Sequence, residues 1–400
     1  MPKLKSLLLA GALLVAGAAV PGAIAAQAAD PLIIGVIEDR SGGSTFYSQE
    51  SVKAIKLFTG NVNSGDFMFS AEAVGTEPGI LGRQVELIFE DDENNPNNTV
   101  IKARRLLERG AEVLVFLSGS GATLQGRVVC TEQKVLCLAP TNVSDALLRE
   151  PNNDYIFTVG PLASITVGAH IAAWEKLGAK RIAAIGDSSP TSKIIGDAYR
   201  AAWEKAGLET VAYETLEVGS PDATIAMRRL QQSNPDVIMD LTSSAAETLN
   251  LYRARSRMSD ETIVFGNNAL GAMPHIWEMA GTTLDGTVIV DFVSASNPNT
   301  EALKKVYEAE HGANSFVGLH ANVWDGLMLI KKAVETAGST DGTAARDELA
   351  QLSDFPASFG QPGFRHSFSK ERHNGTAMNA HIILQFKDGL PSVVWDVFQP

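Results

Sequence analysis

Residues 113–140 read VLVFLSGSGATLQGRVVCTEQKVLCLAP. The opening run, Val113 to Leu117, is apolar and β-branched, the length and composition of a buried strand. It breaks at Ser118-Gly119-Ser120-Gly121-Ala122-Thr123. A helical pattern follows, with Leu124, Val128 and Val129 on one side, and a second apolar run, Val135 to Ala139, closes the unit. Strand, glycine-serine turn, helix and strand in this order predict a parallel α/β unit. The turn then lies at the carboxyl end of its strand, where the next helix presents unpaired N–H groups and a positive dipole. Gly119 and Gly121 allow close backbone approach. Ser120 and Thr123 add hydroxyls. The expected ligand group is a carboxylate or another small polar group.

Other readings of the turn fit less well. Residues 121–128 read G-x-x-x-x-G-R-V, which lacks the lysine and the hydroxyl of a phosphate loop. Ser118 stands where a nucleophile elbow needs its first glycine. The plain alternative is an ordinary strand-to-helix connection.

Outward from this unit the pattern repeats. Strands are expected at 32–38 and 84–89, and helices at 46–62 and 99–109. Ser44 or Thr45 is the expected cap of the first helix. Residues 63–82 read as a polar loop or insertion, and Glu90 to Glu93 as a solvated strand end. A metal site there is disfavoured, because no histidine or well-spaced ligand accompanies the acids. After a strand at 155–159 and the Gly160-Pro161 join, a second series alternates helices and strands from 165 to 266. Another strand is expected at 287–293, helices at 301–310, 316–337 and 344–352, and a final hairpin around Asp388-Gly389.

The chain has 400 residues, 45% of them hydrophobic, enough for two domains. We expect two doubly wound α/β lobes joined by a multi-strand hinge: residues 30–159 with 294–365, and 160–293 with 366–400. A formal charge of −13 disfavours nucleic acid and anionic membranes as partners. Lys3 and Lys5 precede an apolar run of 14 residues, 7–20, and Ala26-Gln27-Ala28 fits a cleavage site, so residues 1–28 read as a signal peptide. No cysteine lies near that site, so a periplasmic chain without a lipid anchor is expected. The two cysteines, Cys130 and Cys137, read either as a disulfide across a helix end and the next strand or as two small buried hydrophobes.

Ser41-Gly42, Phe89-Glu90-Asp91-Asp92, the Ser120 turn, and Ala139-Pro140 before Ser144-Asp145-Ala146-Leu147 occur in this order. In that order they resemble the leucine/isoleucine/valine-binding proteins, type I periplasmic solute-binding proteins of ABC transporters. The resemblance spans the mature chain. It implies that Ser120, with Gly121, holds a ligand carboxylate, assisted by Thr141, Asn142 or Ser144. Tyr47 and Phe316 match the aromatics that cover the ligand. Thr191 and Ser243 match second-lobe contacts. Where the family carries a carboxylate for the ligand's ammonium group, this chain has Asn267-Asn268, and Asn268 is expected to read the ligand's far end. A small amino acid or a related organic acid or amide is the expected ligand. An ABC permease is the expected partner of a monomer without cofactor, metal or catalysis. A periplasmic sensor or a secreted hydrolase of the same fold are the alternatives.

Overall fold

Burial on both faces explains why the first sheet's strands are nearly continuous apolar runs. The computed structural model describes residues 29–258, 262–294 and 296–395, without the side chains of 190, 191, 268, 269 and 393–395. The expected signal peptide, 1–28, lies outside the described residues. In chain order the first lobe holds β1 (Leu32–Glu38), α1 (Thr45–Ser64), α2 (Ala71–Val74), β2 (Val85–Asp91), α3 (Pro96–Glu108), β3 (Val113–Phe116), α4 (Ser120–Gln133), β4 (Cys137–Leu138) and β5 (Ile156–Phe157). The second lobe follows with α5 (Ala163–Leu177), β6 (Arg181–Asp187), α6 (Pro190–Lys205), β7 (Glu209–Leu216), α7 (Thr224–Gln232), β8 (Val237–Leu241), α8 (Ala245–Arg255), β9 (Ile263–Gly266), α9 (Asn268–Gly271), α10 (Pro274–Ala280) and β10 (Val288–Asp291). The chain then returns to the first lobe for α11 (Pro298–His311), α12 (Gly318–Ala337), α13 (Gly342–Leu349), β11 (Phe355–Pro356) and β12 (Arg365–His366). It finishes in the second with β13 (Ile382–Lys387) and β14 (Leu390–Trp395).

The first sheet runs β2-β1-β3-β4-β5, all parallel. The second runs β14-β13-β10-β9-β8-β6-β7, with only β13 and β14 antiparallel to their neighbours. Strand order therefore reverses between β1 and β3 in one lobe and between β6 and β8 in the other. Ligand crevices of open α/β sheets form at such reversals.

Three elements depart from the sequence reading. Residues 63–82 are no plain loop: Phe67 is buried, a 3-10 turn spans Met68–Ser70, and α2 follows. The pin is Lys331 of α12, fully buried, whose Nζ donates to Gly79 O at 2.8 Å and Glu77 O at 3.1 Å and sits 4.7 Å above the Phe67 ring. No local pattern reveals that partner, which is 252 residues away at Gly79. Residues 90–93 are not a solvated end either. Asp92 is buried and accepts from Ser118 Oγ and Thr99 Oγ1, each at 2.6 Å, while Glu90 pairs with Lys102 and Arg109. The third crossing comes later than residue 366. Phe368 and Ala380 pack in the first core, and Thr376 Oγ1 donates to Val159 O at 2.6 Å, so the chain leaves the first lobe between Ala380 and Ile382.

Cys130 of α4 and Cys137 of β4 form a disulfide, with Cα atoms 6.1 Å apart and seven residues of separation. Chain entropy assigns so short a loop about 2–3 kcal/mol. The Cys130→Ala/Cys137→Ala variant is therefore expected to unfold at lower urea than the oxidised protein, and reductant is expected to shift only the latter.

Candidate functional site

Three loops of the first lobe meet because Gly119 has no side chain. A Cβ there would run into Ser44 Oγ after β1 and Asn94 after β2. Gly119 caps α4 with its backbone alone, so Ser120 opens the helix with its first N–H groups facing away from the strand. Ser120 Oγ accepts from Val143 N at 3.2 Å, tying the turn to the loop after β4. Gly121 is exposed, with no protein atom near its Cβ position. Its freedom leaves space above the helix start.

The expected caps of α1, Ser44 and Thr45, are not what holds that loop. Ser44 sits at the cap position without a capping side-chain bond. Asp39, fully buried at the end of β1, does the work: its carboxylate accepts from Ser41 N at 3.1 Å, Gly42 N at 2.5 Å and Ser44 N at 2.7 Å. The sequence reading did not single out Asp39; an acid at a strand end before a glycine-serine turn is the signal that could have found it. The 3-10 turn Asp145–Leu148 is held from α4. Arg127 is buried and its Nη1 donates to the carbonyls of Ala146, Leu147 and Arg149. Burial lowers the guanidinium's pKa from its ordinary value. The residue in the place of a phosphate-loop lysine is thus a structural clamp.

Thr141 and Ser144 are half-buried on this wall. Asn142 is 4% exposed; its Nδ2 donates to Ser144 O at 2.9 Å and its Oδ1 has no partner among the described residues.

The second lobe mirrors the first. Asp187, at the end of β6, accepts from Ser243 N at 2.6 Å, Ser244 N at 3.2 Å and Ser189 N at 3.0 Å. Ser243 Oγ also meets Ser189 Oγ at 2.7 Å. Asn267 commits both ends of its amide within the lobe: Nδ2 to Thr242 O, Oδ1 from Leu270 N at 2.8 Å. The side chains of Thr191 and Asn268 lie outside the described residues.

Asp240 is buried beneath the loop after β8. Burial pushes its carboxyl up to about 7 from 3.8, against the opposing bonds from Thr242 and Tyr252. A folded-state pKa raised this way favours folding at low pH, and that stability is lost as pH rises from about 4 through about 7. The Asp240→Asn variant is expected to flatten the decline of melting temperature over that range.

The lobes touch across the crevice. Tyr47 of α1 is half-buried against the second lobe's core, where burial and the Asp240 carboxylate raise its hydroxyl's pKa. Neighbouring Phe46 places its ring 4.4 Å from His275 of α10. Neither Phe46 nor His275 stood out in the sequence, because a cross-lobe aromatic contact has no local signature. Phe316 is 5% exposed and packs in the first core beside Tyr307 and His320, with ring centroids 5.9 and 5.6 Å away. Ser120 thus meets the 141–144 loop through Val143, Tyr47 reaches from the same lobe to the second lobe's core, and Ser243 lies at the second reversal beside Asp187.

A family model described as periplasmic binding protein matches residues 31–389. The chain belongs to the periplasmic binding protein family. Among related family members, the Leu/Ile/Val-binding protein homolog 3 of Brucella melitensis is 26% identical over 333 residues, 83% of this chain and 86% of that one. The Leu/Ile/Val-binding protein BraC3 of Rhizobium johnstonii is 21% identical over 295 residues, 73% and 79% of the two chains. The fold is that of solved type I members. The leucine-binding protein LivK of Thermotoga maritima superposes with a TM-score of 0.72 at 20% identity, covering 90% of this chain and 96% of that one. The branched-chain amino acid transporter substrate-binding protein LivJ of Streptococcus pneumoniae, solved with isoleucine, gives 0.73 at 20% identity over 91% and 99%. Among the described residues, no helix is long and apolar enough to cross a membrane.

Proposed function

We propose that this periplasmic binding protein is the solute-binding component of an ABC importer. It takes a small amino acid or a related organic acid or amide between its lobes and delivers it to a membrane permease. The observation that carries this reading is the placement of the Ser120 turn at one lobe's strand reversal, with Tyr47 reaching from the same lobe to the other. Ser120 Oγ and the N–H groups of Gly121 and Ala122 anchor the ligand's oxygens. Tyr47 covers its body. The names of the relatives support a branched-chain amino acid as the first ligand to try. Asn267 supplies no charge to an ammonium group, which keeps uncharged-bodied acids and amides in the panel. Residues 1–28 direct export to the periplasm, where the mature chain acts as a monomer.

The test is a thermal-shift panel of amino acids, organic acids and amides. A ligand specific for the folded state raises the melting temperature saturably. A panel that produces no shift removes the transport role. With the ligand in hand, Ser120→Ala is expected to weaken binding by about 1–2 kcal/mol, through one lost hydrogen bond to a charged group. Calorimetric titration of the variant checks it, and an unchanged affinity takes Ser120 out of the site.

A further inference from the structure

A titratable ring sits in the contact between the lobes. Phe46, on the first turn of α1, packs against the second lobe's core, and its ring centroid lies 4.4 Å from that of His275 on α10. A first-lobe helix and a second-lobe helix therefore share a ring contact across the crevice. His275 Nδ1 is buried and has no partner among the described residues. A neutral imidazole tolerates this, because its proton can sit on Nε2 and leave Nδ1 bare. An imidazolium carries N–H groups at both positions, and a buried N–H without an acceptor is costly. The contact thus admits the neutral ring and opposes the charged one.

The surrounding charges do not reverse this. Burial lowers the His275 pKa from its ordinary 6.5, against Glu50 of α1 and Glu278 of α10, which raise it. Glu50 is already engaged: Lys53 and Tyr307 bond its carboxylate, and His320 Nε2 lies 3.6 Å from it. Of the other elements packed on α10, α9 and the 3-10 turn Gly281–Leu284 carry no titratable side chain. On α8, Glu247 and Arg255 bond backbone groups of their own lobe, Tyr252 bonds Asp240, and Arg253 is exposed. Asp240 acts on Tyr47, the neighbour of Phe46, rather than on the ring.

We propose that the Phe46–His275 contact is a proton-controlled latch, which holds the lobes together while His275 is neutral and lets them part when it takes up a proton. Parting withdraws Phe46 and opens Nδ1 to water, so with the lobes apart the ring titrates in its ordinary range. The closed arrangement holds the ring below that range. Closure is therefore favoured above about pH 6.5 and is lost as the pH falls further. A single proton changes the closed-to-open ratio by at most about tenfold per pH unit. A solute held between the lobes is let go on acidification. That consequence rests on the transport reading; the latch itself does not.

The experiment uses the full mature chain without solute, its histidine rings isotope-labelled. The His275 resonance, assigned by its loss in His275→Phe, is expected to titrate below the ordinary histidine range, and Phe46→Ala is expected to move its midpoint back up. X-ray scattering reads the lobes. The wild-type radius of gyration is expected to grow as the pH falls from about 8 to about 5, and that of His275→Phe, whose ring packs but takes no proton, to stay constant. Asp240 and Asp291 also titrate in this lobe, but both are intact in His275→Phe and so cancel from the comparison. Near-ultraviolet circular dichroism shows that each variant is folded, and Phe46→Leu makes the same comparison where Phe46→Ala does not fold. A His275 midpoint that loss of the Phe46 ring leaves in place overturns the proposal. So does an equal expansion of wild type and His275→Phe, or expansion in neither. None of these readouts involves the cleft's solute, so a failed latch and a failed thermal-shift panel are separate results.

Discussion

Asp325→Ala is expected to lower the free energy of unfolding by about 3–5 kcal/mol, the cost of leaving the partners of a buried polar pair alone. Asp325 of α12 and His366 of β12 are both fully buried, with His366 Nε2 at 2.7 Å from the carboxylate. The other ring nitrogen, Nδ1, lies 3.0 Å from Gly375 O. A carbonyl only accepts, so Nδ1 carries a proton and donates to Gly375 O, and one further proton lies between Nε2 and the Asp325 carboxyl. The same carboxylate accepts from Ser358 N at 3.0 Å. Three distant segments therefore converge on one side chain: α12, the strand before the third crossing, and the loop at Ser358. Alanine there strands the His366 ring and the Ser358 N–H in the core. Urea unfolding of the variant measures the loss. The double variant Asp325→Leu/His366→Phe is expected to recover much of it, because an apolar pair needs no compensation. A loss under about 1 kcal/mol in the single variant contradicts this account of the pair.

Asp39→Ala is expected to weaken ligand binding by about 2–4 kcal/mol, although Asp39 touches no ligand in the proposed arrangement. The reason is backbone accounting: at least three N–H groups lose their acceptor, each at about 1–3 kcal/mol when buried. The loop from Ser41 to Ser44 then loses the geometry that sets the start of α1, and with it Phe46 and Tyr47. Asp39→Asn keeps one acceptor oxygen and is expected to lose less. Titration of both variants with the ligand found in the panel reads the difference. If the alanine variant binds as the wild type does, the loop after β1 is not part of the site.

Much of the fold was legible before any coordinates. β1 has the bounds expected from its apolar run, helices and strands alternate through the second lobe as expected, and the hairpin turns where Asp388-Gly389 sits, both with positive φ. Buried parallel strands are readable because burial on both faces demands unbroken apolar residues. The glycine-serine turn was legible for the same reason of local chemistry. The errors fall elsewhere. The 63–82 segment looked like a loop because its anchor is Lys331, a charged residue that no pattern places in a core. The third crossing was placed too early because the residues after His366 carry no break in composition. What keeps them in the first lobe is pairing with Asp325, Phe157 and Val159.

The sequence by itself determined the class of the molecule. Alternating periods of apolar residues specify strands and helices, and their order admits little besides two doubly wound sheets. The tertiary structure alone decided which polar groups are spent and which stay available. Asp92 and Asp187 are consumed by neighbouring loops, Asn267 by its own lobe, while Asn142 and Asn374 each keep one atom unpaired among the described residues. That division depends on distances between residues far apart in the chain. Periodicity reports only which way a side chain faces, never what it meets there.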